Sequence, residues 1–182
     1  PETMRQVAEP QLDVPARLQF AHLADGLPAL DVYVNDALRV ENLTFGNASP
    51  AIQQDTPTYS VAFVISGQSA NSPLVEIQEE TIEADDERIT AISGDLSGLR
   101  VDSFAAIPEP TADVNARVLF LNALAGETGV DLLLADVNYA RLQVGQSAIF
   151  DLPLDLTSDV AFRLGTGEDS VTLPLAGLEL NG

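Results

Sequence analysis

Apolar and polar residues alternate with a period of two along much of this chain. Leu18 and Phe20 are interleaved with Arg17 and Gln19, and Leu30, Val32 and Val34 with Asp31, Tyr33 and Asn35. Tyr59, Val61, Phe63 and Ile65 repeat the pattern. A strand sends successive side chains to opposite faces, so each run predicts a strand with one buried face. Asn35-Asp36 then predicts a turn before Leu38, Val40 and Asn42, and hence a hairpin. Leu74 to Ile77 and Arg88 to Ile92 predict two further strands. The acidic stretch between them has no apolar stripe at helical spacing and is read as strand end and turn. Short strands separated by Pro, Gly, Asn and Asp, with no helix alternating between them, predict an all-β fold. The type expected is an antiparallel β-sandwich, Ig-like or Greek-key.

The pattern also occurs twice. Ala16-Arg17-Leu18-Gln19-Phe20 matches Ala116-Arg117-Val118-Leu119-Phe120 a hundred residues further on, and Leu30-Asp31-Val32 matches Val130-Asp131-Leu132. Val61-Ala62-Phe63 matches Val160-Ala161-Phe162 after a slip of one residue, as a loop deletion would produce. Two copies fall short of the roughly three that a solenoid needs, so tandem sandwiches are expected. The division runs 1–14 as an N-terminal tail, 15–103 as the first domain, 104–115 as a linker stiffened by Pro108 and Pro110, and 116–182 as the second domain. In the second copy Val171 to Leu180 matches Leu74 to Ile82, and Asn181-Gly182 stands where the chain should turn into a counterpart of Arg88 to Ser93. The second domain is therefore expected to lack its last strand. Leu12 and Val14 alternate in the tail, which makes that segment the candidate donor strand for the gap in a neighbouring copy.

Charge changes the picture of partners more than of fold. The 182 residues hold 28 acidic and 8 basic side chains, the latter all Arg, for a formal net charge of -20. Polyphosphates are bound by clustered cations, so nucleic acid is excluded as a partner, and an anionic membrane surface would be repelled as well. A hydrophobic fraction of 46% and a mean hydropathy of +0.12 lie outside the disordered regime. No apolar run approaches the roughly 18 residues of a membrane span, so no membrane insertion is expected. Cysteine is absent, which removes disulfides, thiolate metal sites and a Cys nucleophile.

Candidate chemistry is sparse. His22 is the only histidine, no Gly-Xaa-Ser-Xaa-Gly elbow accompanies it, and a turn residue bonding loop backbone is the reading favoured, so no enzyme is expected. No cofactor is expected, although hard cations such as Ca²⁺ take carboxylates from turns. Glu83, Asp85, Asp86 and Glu87 form the candidate calcium cluster, with Asp25 and Asp31, and Asp151, Asp155 and Asp159, as further groups; none has the EF-hand spacing. Asp31 and Asp131 are expected to be structural, bonding loop backbone N–H groups or Arg17 and Arg117 respectively. Asn42-Leu43-Thr44 is a glycosylation sequon.

The run from Ala16 to Val34, with its Ala-Arg strand, His22 in a turn with Pro28, and Leu30-Asp31-Val32-Tyr33-Val34, resembles the opening of domain of unknown function family 4397. Phe45-Gly46, Tyr59-Ser60-Val61 and Arg88 to Gly94 resemble that family's later strands. The second copy departs from it, with Asn122 in place of His22 and Leu133 in place of Tyr33. The resemblance implies a secreted or cell-surface β-sandwich, often in tandem, and transfers no catalytic residue. The function expected is a non-catalytic extracellular structural or interaction protein, for instance a subunit of a fibre or surface layer assembled by strand donation, with copies of itself or other surface proteins as partners. A calcium- or ligand-binding adhesion module is the alternative.

Overall fold

Fourteen strands and no helix make up the described residues of the computed structural model, which are 10–105, 115–123, 129–134, 137–153, 160–164 and 171–174. The N-terminal half contains β1 (Ala16–Ala24), β2 (Leu30–Val34), β3 (Ala37–Leu43), β4 (Ile52–Gln54), β5 (Thr58–Ile65), β6 (Val75–Thr81), β7 (Glu87–Gly94) and β8 (Arg100–Ala105). They form two four-stranded sheets, ordered β4-β1-β7-β8 and β3-β2-β5-β6. Leu18, Phe20 and Ile92 face inward from the first sheet, and Leu30, Val32, Val61 and Phe63 from the second; all are buried in one cluster. The rings of Phe20 and Phe63 meet edge to face across the layers, with centroids 6.1 Å apart. The hairpin turn has φ of 49° at Asn35 and 62° at Asp36, the left-handed pair of a type I′ turn, which matches the twist of its strands.

The C-terminal half contains β9 (Asn115–Leu121), β10 (Val130–Leu134), β11 (Val137–Leu142), β12 (Ser147–Pro153), β13 (Val160–Leu164) and β14 (Val171–Pro174). Its sheets are ordered β11-β10-β13-β14 and β12-β9. Phe120 is the centre of its core, with Phe150 and Phe162 at centroid distances of 5.7 and 5.6 Å. Local hydrogen bonds recur between the halves. His22 donates its N–H to the Asn47 carbonyl and accepts the Gly46 N–H; Asn122 does the same with Gln146 and Gly145. Gly46 and Gly145 have φ of 77° and 76°, so one loop geometry occurs at both sites.

The structure departs from the sequence reading at three places. Pairing is not wholly antiparallel, because β7 runs parallel to β1 from Arg17↔Glu87 to Ala24↔Gly94. Ser103 to Ala105 belong to β8, and Phe104, assigned to the linker, is buried against Ala21 and Ala91 on the outward face of the first sheet. Leu12 is not a free tail residue: its N–H donates to the Asp55 carbonyl at 2.7 Å and its side chain packs on the first core. A segment seated on its own domain cannot serve a neighbour as donor, which removes Leu12 from that role, while Val14 beside it is exposed. Residues 1–9 and 106–114 lie outside the described residues.

The two halves meet through apolar and polar contacts. Leu121 of β9 packs with Leu23 and Ile89 onto the cluster of Ala21, Ala91 and Phe104. The turn at Gly145 lies against Arg100 and Asp102 of β8. Coverage of both faces explains why Thr90, Ala91, Ile92 and Ser93 are buried in succession, where a one-faced strand would alternate.

Candidate functional site

His22 continues the inward row of β1 after Leu18 and Phe20 and is fully buried. Its Nε2–H donates to the Pro28 carbonyl at 3.1 Å, and its Nδ1 accepts the Ala24 N–H at 3.3 Å. These two backbone partners assign the ring proton to Nε2. Asn122 occupies the same place in the C-terminal half, buried, with its side-chain amide donating to the Leu142 carbonyl at 3.0 Å. His22 thereby ties β1 to the loop before β2, and Asn122 ties the end of β9 to β11 of the facing sheet.

Beyond this point the halves differ. In the N-terminal half Leu30 pairs with Leu43 and with Ile65, and Ile92 of β7, opposite His22, is buried in the same cluster. In the C-terminal half Val130 pairs in the same way with Leu142 and Leu164. Among the described residues, however, no strand runs along β9 as β7 runs along β1. A cavity of about 300 Å³ lies at the end of β9, lined by Asn122, Val130, Leu142, Phe162 and Leu164, with Leu23 and Phe45 contributed by the N-terminal half. Phe45 is 53% exposed, and its ring meets that of His22 edge to face at 6.0 Å. A space of this lining accepts an aliphatic or aromatic group and gives an ion almost no ligand.

The sequence profile of a domain of unknown function, DUF4397, matches residues 16–133. The chain belongs to the DUF4397 family. The match opens with the first residue of β1 and closes inside β10, so it takes in the whole N-terminal half and the first strand and hairpin approach of the C-terminal half. No curated protein matches the chain.

The acidic residues singled out in this DUF4397 chain are mostly engaged with their own surroundings. Among the described residues no group of three or more His, Cys, Asp and Glu side chains is placed to hold a metal ion. In the Glu83 to Glu87 turn, Asp86 accepts the Glu83 N–H at 3.3 Å and Glu87 pairs with Arg17 at 2.6 Å; Asp85 takes a φ of 63°. The carboxylates of Asp86 and Glu87 therefore turn to backbone and to a guanidinium. Asp151 is held by Arg117 through two hydrogen bonds of 2.6 and 2.8 Å, and Asp155 and Asp159 lie outside the described residues. Asp25 does not join Asp31, which is turned into its own sheet. Asn42 is exposed, at a φ of 56° on an irregularity of β3, and its N–H donates to Asp31.

Asp31 and Asp131 are buried at matching positions with different partners. Asp31 accepts the Asn42 N–H at 2.9 Å, the Ser66 hydroxyl at 2.8 Å and the Gly67 N–H at 3.2 Å. Asp131 accepts from Arg141 at 3.1 Å and from Arg163 at 2.9 Å. The arginines named from sequence, Arg17 and Arg117, pair instead with Glu87 and Asp151, because they stand on the other sheet; β11 and β13, flanking β10, bring the guanidinium groups to Asp131. Burial alone would raise both carboxyls. Hydrogen bonds from Asn42, Ser66 and Gly67 outweigh it at Asp31, and the Arg163 hydrogen bond with the charges of Arg141 and Arg163 outweighs it at Asp131, so both pKa values lie below 3.8.

A carboxyl whose folded pKa is depressed contributes stability that is fully present above its unfolded value of about 3.9 and is lost as pH falls through the folded value. Asp31→Asn and Asp131→Asn are each expected to cost about 1–3 kcal/mol near neutral pH. The deficit should shrink as pH is lowered below about 3.9, where the parent carboxyl also becomes neutral. Urea denaturation across that range checks this. A deficit that stays constant with pH would show that the carboxylate charge is not its source.

Proposed function

We propose that this DUF4397 protein is a non-catalytic, extracellular structural or interaction protein built as two tandem sandwiches, acting by accepting a β-strand from a polypeptide partner. The observation that carries the reading is in the C-terminal half, where, among the described residues, β9 pairs with β12 alone and an apolar cavity lies beside Asn122. Soluble folds seldom leave an inner strand and a strip of core uncovered together, because the unpaired backbone and the apolar surface both favour an added strand. Location outside the cell is supported by the acidic, lysine-free composition, suited to a saline or calcium-containing medium. The adhesion alternative draws no support from the acidic turn, where Asp86 and Glu87 are held by internal partners.

Electron microscopy and sedimentation velocity on the purified chain test the reading. Ordered assemblies, or complexes with a surface protein that bury β9, are the expected result. A monomer whose β9 amides are slow to exchange and whose surface binds no polypeptide would refute it.

A further inference from the structure

We infer that Asn42 is the acceptor of an N-linked glycan, and that the sugar shields the β3 edge of the N-terminal half from pairing with other chains. This inference rests on the extracellular location in the proposed function and adds a covalent modification, with its place and its role.

Sequence and fold agree at this position. Asn42-Leu43-Thr44 has the acceptor pattern. β2 and β3 pair as Leu30↔Leu43 and Val32↔Val40, so Glu41 and Asn42 together stand opposite Asp31. Two residues against one make a bulge, a device that re-aims a side chain. Asn42 takes a φ of 56° there, and its N–H donates to the Asp31 carboxylate at 2.9 Å. Only its main chain is used in that bond. Among the described residues no group bonds the Asn42 carboxamide, and Asn42 and Thr44 are both exposed. The Thr44 hydroxyl accepts from the Asn47 side chain at 2.8 Å, which leaves its own O–H free to donate. Left-handed backbone does not account for the whole pattern, because Gly would fill that position without steric cost and needs no hydroxyl two residues on.

Asn47-Ala48-Ser49 has the same spacing and supplies the contrast. The Asn47 amide donates to the Thr44 hydroxyl and to the Phe45 carbonyl at 3.2 Å. Ser49 is buried; its hydroxyl accepts the Phe20 N–H at 3.0 Å and donates to the Pro50 carbonyl at 2.9 Å. Both groups that the reaction needs are therefore engaged at Asn47 and presented at Asn42.

The co-reactant is an oligosaccharide linked through phosphate or diphosphate to a polyprenyl lipid, used by a membrane transferase. The Asn42 Nδ2 attacks the anomeric carbon, the N–C bond forms as the C–O bond to the phosphate breaks, and the amide gives up one proton to a base while the lipid phosphate leaves as an anion. No redox partner enters. The product carries a bulky, solubilising group on a strand that ends its sheet, in the order β3-β2-β5-β6, and that holds Leu38 at 40% exposure. An exposed edge with an apolar side chain invites another strand. A glycan at Asn42 blocks that approach.

The test is peptide mass spectrometry on the full chain recovered from the cells that make it, with variants expressed in the same cells. A sugar mass on Asn42 is expected. It should be lost in Asn42→Gly and Thr44→Ala and kept in Thr44→Ser and Asn47→Gln. Asn42→Gly preserves the left-handed backbone, and if a variant does not fold, site mapping on the parent still decides. At raised concentration the Asn42→Gly chain should gain hydrogen-exchange protection in β3 that the glycosylated parent lacks; equal exchange in the two would overturn the shielding role. Bare Asn42 in chain recovered outside the cell, or sugar on Asn47 alone, would overturn the acceptor assignment and leave the proposed function standing. Bare chain found only inside the cell would overturn both.

Discussion

Replacing Gly94 with alanine is expected to destabilise the N-terminal half by about 3 kcal/mol or more, whereas Gly98→Ala should cost almost nothing. Gly94 closes β7 with a φ of +92°, and a Cβ placed there would land on the backbone carbonyl of Gly98. Left-handed backbone alone costs an alanine about 1–2 kcal/mol. The clash cannot be relieved by rotating a side chain, because both partners are backbone. It is also pinned from both sides: the Gly94 carbonyl accepts the Asp25 N–H at 2.9 Å, and the Gly98 N–H donates to Asp95 at 3.0 Å. Gly67→Ala is the intermediate case, with a φ of +80° but nothing within 4 Å of the added carbon, so it should lose only the conformational share, about 1 kcal/mol. For a unit of this size each kcal/mol moves Tm by about 4–8 °C. Thermal melts of the three variants should therefore fall in the order Gly98, Gly67, Gly94, the last by more than about 12 °C. A Gly94→Ala protein melting within a few degrees of the parent would show that the turn relaxes freely.

The same turn marks what local sequence pattern can and cannot disclose. Strands with one face in the core, such as β1, β2 and β5, announce themselves because Leu18 and Phe20, or Val61 and Phe63, alternate with exposed or half-buried neighbours. The type I′ turn at Asn35-Asp36 is equally visible, since few other residues tolerate two successive left-handed positions. β4, with three residues, is too short to show a period. β8 hides for another reason: its buried residue, Phe104, packs on the outward face of its sheet toward Leu121, so its pattern belongs to a contact between halves. The parallel partnership of β1 and β7 joins residues far apart in the chain, and no local alternation encodes it.

The candidate site was legible in one part. Aligning the repeats places Asn122 at the position of His22, and this needs no coordinates. The cavity is different, because two of its walls, Leu23 and Phe45, come from the other half. The partners of Asp131 were misassigned for a related reason. Repeat position suggested Arg117, but a side chain reaches its neighbours within its own sheet, and the layering that separates β9 from β10 appears only in three dimensions.

Replacing Phe120 with alanine is expected to unfold the C-terminal half while leaving the N-terminal half folded. Truncating a buried Phe costs about 3–5 kcal/mol, a large share of the total stability of a small unit. The halves are unequally equipped to absorb it. The N-terminal cluster includes Leu18, Phe20, Leu30, Val32, Phe63 and Ile92, each at 0% exposure, whereas the C-terminal one rests on Phe120, Leu132, Leu142, Leu152 and Val160 among the described residues, beside a cavity of about 300 Å³. Phe120 is also the ring that Phe150 and Phe162 both touch, so its loss uncouples β12 from β13 across the layers. Hydrogen-exchange mass spectrometry on the full chain is the measurement. Peptides from β9 to β13 should exchange to completion, and those from β1, β5 and β7 should keep their protection, apart from residues near Ala21, Ala91 and Phe104 that Leu121 covers. If β1 and β5 lose protection together with β9, the halves form one cooperative unit and the tandem reading fails. If β9 keeps its protection, Phe120 is not the residue on which the second core depends, and the prediction fails.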